Sequence, residues 1–581
     1  MLNEYNAVKM PGKIVKVKKY SIMKKVIFGW LVFNFIIIQV PMLSKAQQPL
    51  KRPYDWWQAD WKRDALPGIS LDEAYDFLKG RRSKTVIVAV IDNCVDTAHE
   101  ELKDFIWKNN EEKGGNGIDD DGNGYTDDLH GWCFIANKNN IVQAKQSALE
   151  VLVYKAWRKQ FENIDPAKLK RDDKVQYDIY QTAKIMMFGK FEFYHAISVL
   201  ESDSSKFIQY VYKLLPDYKD WRIKDIPYLS LASFNAYDSA ANLFLSKFVK
   251  SVPTTIVLSR FYYQLRTNPG FNGLINFINQ YTFRDSYDTI NNYREIVGDN
   301  ADDFNDKDYG TPSINLREIG GEHATFIAGI ICANRNNNIG MKGIADNVQL
   351  MPLVTAVSNG GSISKDIVMA IHYAVDNGAF IINMSFGITP WIDEHEKELR
   401  EAFDYAYKHD VLIVNAAGND GLCLDNEKYL MGMGSNGKAN DNFIRVGSTT
   451  ALMNDSLVSI YSQFGGKTVD LFAPGTAIYS TIPCNRYASE SGTSFSCPIV
   501  AGVAALVKSY FPSLNAIQIK EILVRSVFKP DLMVIPPANS VVKGEIPFCK
   551  LSKSGGIVNA YNAVRLADEI IRRKNTIKIY K

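Results

Sequence analysis

The chain has 581 residues, of which 46% are hydrophobic and 23% charged, a composition that excludes a disordered or fibrous protein. Its length allows one large domain with insertions or several ordinary domains. The formal net charge is +3, but residues 1–46 contribute +7 from eight Lys and one Glu, so the remaining chain carries −4. A mildly acidic chain of this kind gives no reason to expect nucleic acid as a partner.

The first 46 residues form a candidate signal peptide. Several lysines precede the apolar run at 26–43, and the small-x-small triplet that ends at Ala46 follows it. This order is typical of a secretory signal, so we expect cleavage near Ala46 and export to the periplasm, the cell surface or the medium. The alternative is a retained membrane anchor, which the polar and Pro interruptions at Asn34, Gln39 and Pro41 make less suitable.

The rest of the chain indicates an α/β fold. Residues 47–83 form a short N-terminal segment with one amphipathic helical pattern, and the Val/Ile/Ala run at 84–92 is typical of a strand buried in a parallel sheet. From about residue 310, predicted helices follow His323 and Ser494 and alternate with strands. Further strands are predicted at 348–354, 379–386, 411–418, 442–449 and 469–475, and further helices at 365–378 and 396–410. This alternation predicts a doubly wound, mostly parallel sheet.

Residues 136–300 interrupt this alternation with a polar, aromatic and helical pattern. Candidate helices lie at 146–161, 175–188 and 239–249. We therefore predict a helical insertion, 136–300, within an α/β domain formed by 84–135 and 301–581.

Three polar residues lie where such a fold binds ligands, outside the carboxyl ends of its strands. Asp92 ends the strand at 84–92, and His323 is the one His that opens an apolar helix without other charges. Ser494 opens a helix of small residues, where free backbone N–H groups and the positive end of the dipole converge. The alternatives are ordinary turn chemistry for Asp92, a structural His323, and a helix cap formed by the neighbouring Thr493.

Together these residues could perform nucleophilic catalysis. Asp92 would orient the imidazole, His323 would act as general base and Ser494 as nucleophile. Asn419, after the strand at 411–418, could donate a side-chain N–H to an oxyanion beside the N–H of Ser494.

Four sequence blocks in this order resemble the subtilases, the subtilisin-like serine peptidases. They are "VAVIDNCVD", "EHATFIAG", "NAAGND" and "SGTSFSCP", and the order Asp, His, Ser is that of subtilisin. The resemblance implies catalytic roles for Asp92, His323, Ser494 and Asn419. It implies a substrate groove lined by Gly360, Gly361, Ser385, Gly387, Ala417 and Gly418.

The resemblance further implies an exported serine endopeptidase that hydrolyses peptide bonds through an acyl-enzyme. We expect a monomer that acts on peptides or proteins, needs no cofactor for its chemistry and meets the membrane only through its signal segment. The alternatives are a weak or inactive pseudo-peptidase that binds a partner through its helical insertion, and a structural envelope protein.

The sequence departs from the family pattern near the catalytic positions. Cys94 and Ala324 stand where Gly is usual, Phe326 stands where His is usual, and Phe495 stands where Met is common. A side chain in place of Gly is tolerated at negative φ. We predict that Cys94 has negative φ and that Cys94 and Cys332 are buried thiols.

The seven Cys have no metal-ligand spacing, and their odd number leaves at least one outside any internal disulfide. The position of the insertion, between Asp92 and His323, predicts a helical subdomain beside the substrate groove. Decoration of a distant surface is the alternative.

An acidic stretch at 116–128 resembles the first half of a calcium-binding loop. Asp119, Asp121 and Asn123 match its ligand spacing, but the position of the closing Glu holds His130. Asp127 and Asp128 are the candidates for the missing carboxylate, of which Asp127 is included in the predicted site. The stretch predicts a structural calcium site, and a plain acidic turn is the alternative.

Overall fold

The computed structural model describes residues 54–143, 149–170, 173–184, 293–315, 321–356, 361–387, 395–427, 430–537 and 544–579. They all belong to one unit, 54–581, whereas residues 1–53 form a separate unit. The signal peptide predicted at 1–46 and the helix predicted at 239–249 therefore lie outside the described residues. Within the described part of the chain, no helix has the length and apolar character needed to cross a membrane.

A seven-stranded parallel sheet forms the centre of the domain, with the strand order β2-β3-β1-β4-β5-β6-β7. The strands are β1 (Val86–Asp92), β2 (Trp132–Cys133), β3 (Val348–Val354), β4 (Ile381–Met384), β5 (Leu412–Ala416), β6 (Phe443–Thr449) and β7 (Leu471–Pro474). Two antiparallel pairs lie outside it, β8 (Ile478–Ile482) with β9 (Arg486–Glu490) and β10 (Met533–Val534) with β11 (Ile546–Pro547). The predicted α/β fold is confirmed.

The helices cover both faces of this sheet. They are α1 (Trp61–Asp64), α2 (Leu71–Leu78), α3 (Leu149–Phe161), α4 (173–184), α5 (Glu322–Cys332), α6 (Ser364–Asp376), α7 (Glu396–Lys408), α8 (Thr493–Tyr510), α9 (Ala516–Arg525) and α10 (Ala560–Ile579). Helices α5 and α8 pack in the apolar cluster on one face, and α6 and α7 in the cluster on the other.

Strand β1 serves both clusters because successive side chains point to opposite faces. Val88 and Val90 lie in the cluster with α8, whereas Ala89 and Ile91 lie in the cluster with α6. This explains the continuous apolar run in the sequence. It also fixes Asp92, the last residue of β1, at the carboxyl edge of the sheet.

Small residues in α8 permit close packing in the middle of the domain. A Cβ added to Gly502 would lie 2.9 Å from the Cβ of Ile344, too close for an unshifted neighbour. The same close packing gives α8 a fixed position, so the residues at its N-terminus are held rigidly against the sheet.

The N-terminal segment is part of the core of the domain rather than a separate element. Trp56 and Trp57 are fully buried, and the indole N–H of Trp56 donates to the carbonyl of Ala477 at 3.2 Å. The N–H of Ala560, at the start of α10, donates to the carbonyl of Ile69 at 2.7 Å.

The described part of the insertion contains the two α-helices α3 and α4, in agreement with the predicted helical insertion. Phe161 at the end of α3 packs against Tyr177 and Tyr180 of α4, with ring centroids 5.7 and 5.8 Å apart. The outgoing and returning limbs run side by side, because the amide of Asn137 donates to the carbonyl of Ile296 at 3.1 Å.

Candidate active site

Asp92 and His323 are joined by a hydrogen bond across 231 residues of sequence. The Nδ1 atom of His323, the second residue of α5, lies 2.8 Å from Oδ1 and 3.0 Å from Oδ2 of Asp92. The Asp92 side chain is 5% exposed and that of His323 is 34% exposed, so the carboxylate is enclosed and the imidazole faces the crevice. Asn93 fixes this arrangement, because its Oδ1 accepts the N–H of Ala324 at 3.0 Å.

Ser494 is the second residue of α8, and this helix begins beside the imidazole. The ring of Phe495 lies 5.7 Å from that of His323 between centroids. Among the described residues, the Ser494 hydroxyl has no hydrogen-bond partner within 3.5 Å, so the bond to His323 that a nucleophile and its general base need is not formed in this structure. Hydrogen bonds of this kind are often long without substrate and shorten when it binds.

Thr493 and Asn419 explain why two hydroxyl residues open α8. The Oδ1 atom of Asn419 accepts both the backbone N–H of Thr493, at 2.9 Å, and its hydroxyl, at 3.0 Å. The same hydroxyl accepts the N–H of Gly418 at 3.2 Å. Thr493 therefore does not cap the helix with its side chain. It instead fixes the amide of Asn419 with Nδ2 turned toward Gly492. A Cβ added to Gly492 would lie 3.7 Å from this Nδ2 atom.

Two carboxylates, Asp92 and Glu490, act on the charge of the imidazole. Burial favours neutral imidazole, but the charge of Asp92, its hydrogen bond and the charge of Glu490 together raise the pKa of His323 above its ordinary value. Burial and the charge of Glu322 raise the pKa of Glu490. A negative environment of this kind stabilises an imidazolium, the species that a general base forms.

Two of the departures from the family pattern contact each other. Phe326 and Phe495 pack with ring centroids 4.5 Å apart, and both are buried. Cys94 is buried and is not among the residues with positive φ, and all seven cysteines are thiols. Cys332 is fully buried, and its thiol donates to the carbonyl of Ala328 at 3.3 Å. The predictions for Cys94 and Cys332 are confirmed.

The structure places five of the six predicted groove residues. The hydroxyl of Ser385, after β4, accepts the side-chain N–H of Asn383 at 2.9 Å. A Cβ added to Gly387 would lie 3.0 Å from the carbonyl oxygen of Ala416. Gly361 is exposed with open space beside it, whereas Gly360 lies outside the described residues.

Ala417 and Gly418 follow β5 toward Asn419. Ala417 is buried, and Gly418 has φ +111°, where an added Cβ would lie 2.7 Å from the amide carbon of Gln463. This position therefore requires glycine.

The acidic loop gathers a different set of side chains from the one the sequence predicts. Carboxylate oxygens of Glu112, Asp119 and Asp121 lie within 4.8 Å of one another. The Asp127 carboxylate faces elsewhere and accepts the N–H groups of Asn116 and Gly117, at 2.9 and 3.1 Å.

The amide of Asn123 is already occupied. Its Nδ2 donates to Asp121 and Asp128 at 3.0 Å, and its Oδ1 accepts the N–H of Tyr125 at 2.8 Å. Sequence spacing missed Glu112 because it precedes the motif. It is buried and accepts the N–H groups of Asp120 and Asp127 at 3.1 and 3.2 Å.

A parallel α/β sheet with an Asp–His pair beside a helix that has Ser in its first turn is the arrangement of a subtilisin-like hydrolase. A model of the subtilase family matches residues 83–544 of the chain. The chain belongs to the subtilase family and carries a subtilisin-like serine peptidase domain. The resemblance found in the four sequence blocks is confirmed.

Several characterised proteins are similar to part of the chain. The thermophilic serine proteinase of Bacillus sp. (strain AK1) is 35% identical over 262 residues, which cover 45% of this chain and 55% of that protein. Thermitase of Thermoactinomyces vulgaris is 36% identical over 216 residues, 37% of this chain and 69% of thermitase. Subtilisin DY of Bacillus licheniformis is 34% identical over 209 residues, 35% of this chain and 68% of the relative. The chain thus spans little more than half of the first relative and about two thirds of the others.

Proposed function

We propose that this protein is an exported serine endopeptidase that hydrolyses peptide bonds in peptides or proteins through an acyl-enzyme. The observation that carries the proposal is the hydrogen bond between the enclosed carboxylate of Asp92 and Nδ1 of His323 at 2.8 Å, beside the N-terminus of α8. Export is inferred from the sequence of residues 1–46, in which lysines precede an apolar run and a small-x-small triplet follows it.

Each residue has a distinct role in the proposed mechanism. Because Nδ1 of His323 faces a carboxylate, it holds the proton, which leaves Nε2 as the base. Nε2 takes the hydroxyl proton of Ser494 as its Oγ attacks the scissile carbonyl, and then gives that proton to the leaving amine. Asp92 stabilises the imidazolium in between. Water, activated by the same imidazole, then releases the acyl group from Ser494.

The charge that develops on the carbonyl oxygen needs donors in fixed positions. Nδ2 of Asn419 is one, and the first-turn N–H of Ser494, which has no acceptor within its helix, is the other. Gly361, Ser385 and Gly387 are proposed to line the groove that holds the peptide, with Gly360, Ala417 and Gly418.

A fluorophosphonate probe tests this proposal directly. It should label the wild-type protein at a single serine, and Ser494→Ala should abolish labelling. Ser491→Ala is the matched control, because the hydroxyl of that nearby residue accepts the N–H of Ala477 at 2.9 Å and has no part in the proposed mechanism. Absence of labelling in folded wild-type protein would contradict the proposal and favour a pseudo-peptidase.

We expect Glu490→Gln to move the acid limb of the pH profile to lower pH. Removal of this charge lowers the pKa of His323, so the neutral base persists in more acidic solution. The measurement is kcat/KM for a peptide substrate between about pH 5 and 9. Glu521→Gln, which removes an exposed carboxylate on α9, should leave the limb in place. An acid limb at the same pH in Glu490→Gln and the wild type would contradict the proposed effect of the Glu490 charge on the pKa of His323.

The acidic loop is proposed to bind a structural calcium ion. Oxygens within 4.8 Å of one another can share one Ca²⁺, which takes oxygen ligands at about 2.4 Å. Burial and the charges of Asp121 and Asp120 raise the pKa of Glu112, a repulsion that a cation would relieve. In this proposal Glu112, Asp119 and Asp121 hold the ion, without a part in the chemistry.

Calcium is therefore expected to raise the melting temperature, and chelation to lower it. A double substitution, Glu112→Gln with Asp121→Asn, should remove the response to calcium, whereas Asp127→Asn should retain it because that carboxylate faces the 116–117 turn. A melting temperature that is independent of calcium in the wild-type protein would show a plain acidic turn.

A further inference from the structure

Helix α6 begins without a local cap. Ile363 occupies the N-cap position, where Ser, Thr, Asp or Asn would normally bind the free N–H groups, and it makes no side-chain cap. The next residues are Ser364, Lys365 and Asp366, all buried. Two full charges in a buried first turn need partners from elsewhere in the chain.

The returning limb of the insertion, residues 293–309, supplies the partner of Asp366. Nη1 and Nη2 of Arg294 each donate to one carboxylate oxygen of Asp366 at 2.7 Å. The hydroxyl of Tyr309 donates to the same carboxylate at 3.0 Å. Arg294 is itself buried, so this is an enclosed, bidentate pair of the kind that fixes geometry strongly.

The same limb supplies the partners of Lys365. Its Nζ donates to Oδ2 of Asp299 at 2.9 Å and to the carbonyl of Asn300 at 2.8 Å. Arg294 also bonds Asp299, from Nε at 2.7 Å and from Nη2 at 2.9 Å. Arg294 therefore links both charges of the α6 turn to one limb of the insertion.

The anchored turn directly follows one edge of the proposed substrate groove. The described part of that edge is Gly361–Ile363. Thr355, directly after β3, donates its N–H to the carbonyl of Asp92 at 2.9 Å. The hydroxyls of Thr355 and Ser362 lie 2.9 Å apart. Gly361–Ile363 is thus linked to the catalytic strand through Ser362 and Thr355, and the turn that follows it is bonded to the insertion.

We propose that Arg294 is a positioning residue for substrate binding, which acts through Asp366 to hold the groove edge at Gly361–Ile363. The proposal rests on the proposed peptidase function. It assigns the returning limb a role in the peptidase domain itself, although the sequence pattern places residues up to 300 in the insertion. Arg294 does not touch the reacting atoms, so its loss should weaken binding of extended peptides more than it slows bond cleavage.

The test is Arg294→Met, compared with Arg294→Lys. We expect Arg294→Met to raise KM for an extended peptide about tenfold, with kcat on a small activated ester within about twofold of wild type. Arg294→Lys keeps the charge but cannot form the bidentate pair, so its KM should lie between those of the wild type and Arg294→Met. Arg81→Met is the matched control. It breaks another ion pair, between Nη1 of Arg81 and Oδ1 of Asp568 in α10, whose atoms lie 2.8 Å apart. Active sites are counted by fluorophosphonate labelling.

An unpaired Asp366 could impair folding, so Arg294→Met is also made together with Asp366→Asn. This double variant should fold better than the single variant and keep the raised KM. Direct binding of a fluorescent peptide to the same variants in a Ser494→Ala background separates the two proposals. A peptide affinity that Arg294→Met leaves unchanged would overturn the positioning role, whatever the activity. Failure of wild-type labelling would instead overturn the peptidase proposal.

Discussion

Asn419→Ala is expected to lower kcat by about 10²- to 10³-fold with little change in KM, a magnitude known from subtilisin itself. The amide Nδ2 is proposed to bind charge that exists only in the transition state, so substrate binding should not depend on it. The measurement is steady-state kinetics on a peptide substrate, with the concentration of active protein set by fluorophosphonate labelling. Asn419→Asp, which replaces the donor with an acceptor, should be at least as slow.

A substitution of Thr493 tests whether the position of the Asn419 amide matters for catalysis. Thr493→Val removes the hydroxyl that donates to Oδ1 of Asn419 at 3.0 Å but keeps the backbone N–H that donates at 2.9 Å. We therefore expect a smaller loss in kcat, about tenfold, that Thr493→Ser reverses. Equal kcat in the wild type and Asn419→Ala would show that this amide does not bind the oxyanion.

The sheet could be predicted from the sequence because its signal is local. The run at 84–92 predicts a strand, and β1 occupies Val86–Asp92, since a strand buried on both faces has to be apolar throughout. Strand β9 was not predicted. It pairs with β8, but its residues Arg486–Glu490 are mostly polar and exposed and have no apolar pattern. Its Glu490 nevertheless lies close enough to influence His323.

The site could be predicted only as far as motifs reach. Positions at strand ends and helix starts, and the resemblance of four sequence blocks, identified Asp92, His323, Ser494 and Asn419. The bond between Asn419 and Thr493 joins residues 74 positions apart and has no local signature. The Phe326–Phe495 contact likewise unites two departures that look independent in the sequence, and one ring fills the space beside the other.

The buried ion pairs of the returning limb were beyond sequence reasoning for the same reason. Arg294 and Asp366 lie 72 positions apart, and a charged residue in a polar stretch normally indicates a solvated surface. Glu112 was missed because calcium-loop spacing starts at Asp119, whereas the fold brings an earlier carboxylate to the same place.

Two deletions of the insertion should behave very differently. The first removes 144–292 and joins the limbs with about six Gly/Ser residues, which span about 13 Å on average. The second removes 140–295 and therefore Arg294. We expect the first to fold, because the limbs are held together by the bond between Asn137 and Ile296 at 3.1 Å. The second leaves the buried Asp366 without its guanidinium, at a cost of about 3–5 kcal/mol, and should melt at a much lower temperature.

The shorter deletion also tests whether the insertion restricts access to the groove. Helices α3 and α4 belong to the insertion. The returning limb of that insertion is bonded to the start of α6, directly after the groove edge. If they shield the crevice, removal of 144–292 should raise kcat/KM for a large unfolded protein about tenfold and leave that for a tetrapeptide nearly unchanged. The same deletion with Ser494→Ala controls for contaminating peptidases. An unchanged ratio of the two rates, from a truncated protein that melts like the wild type, would mean that the helices decorate a surface. Arg294 and its limb would then be the part of the insertion on which peptide binding depends.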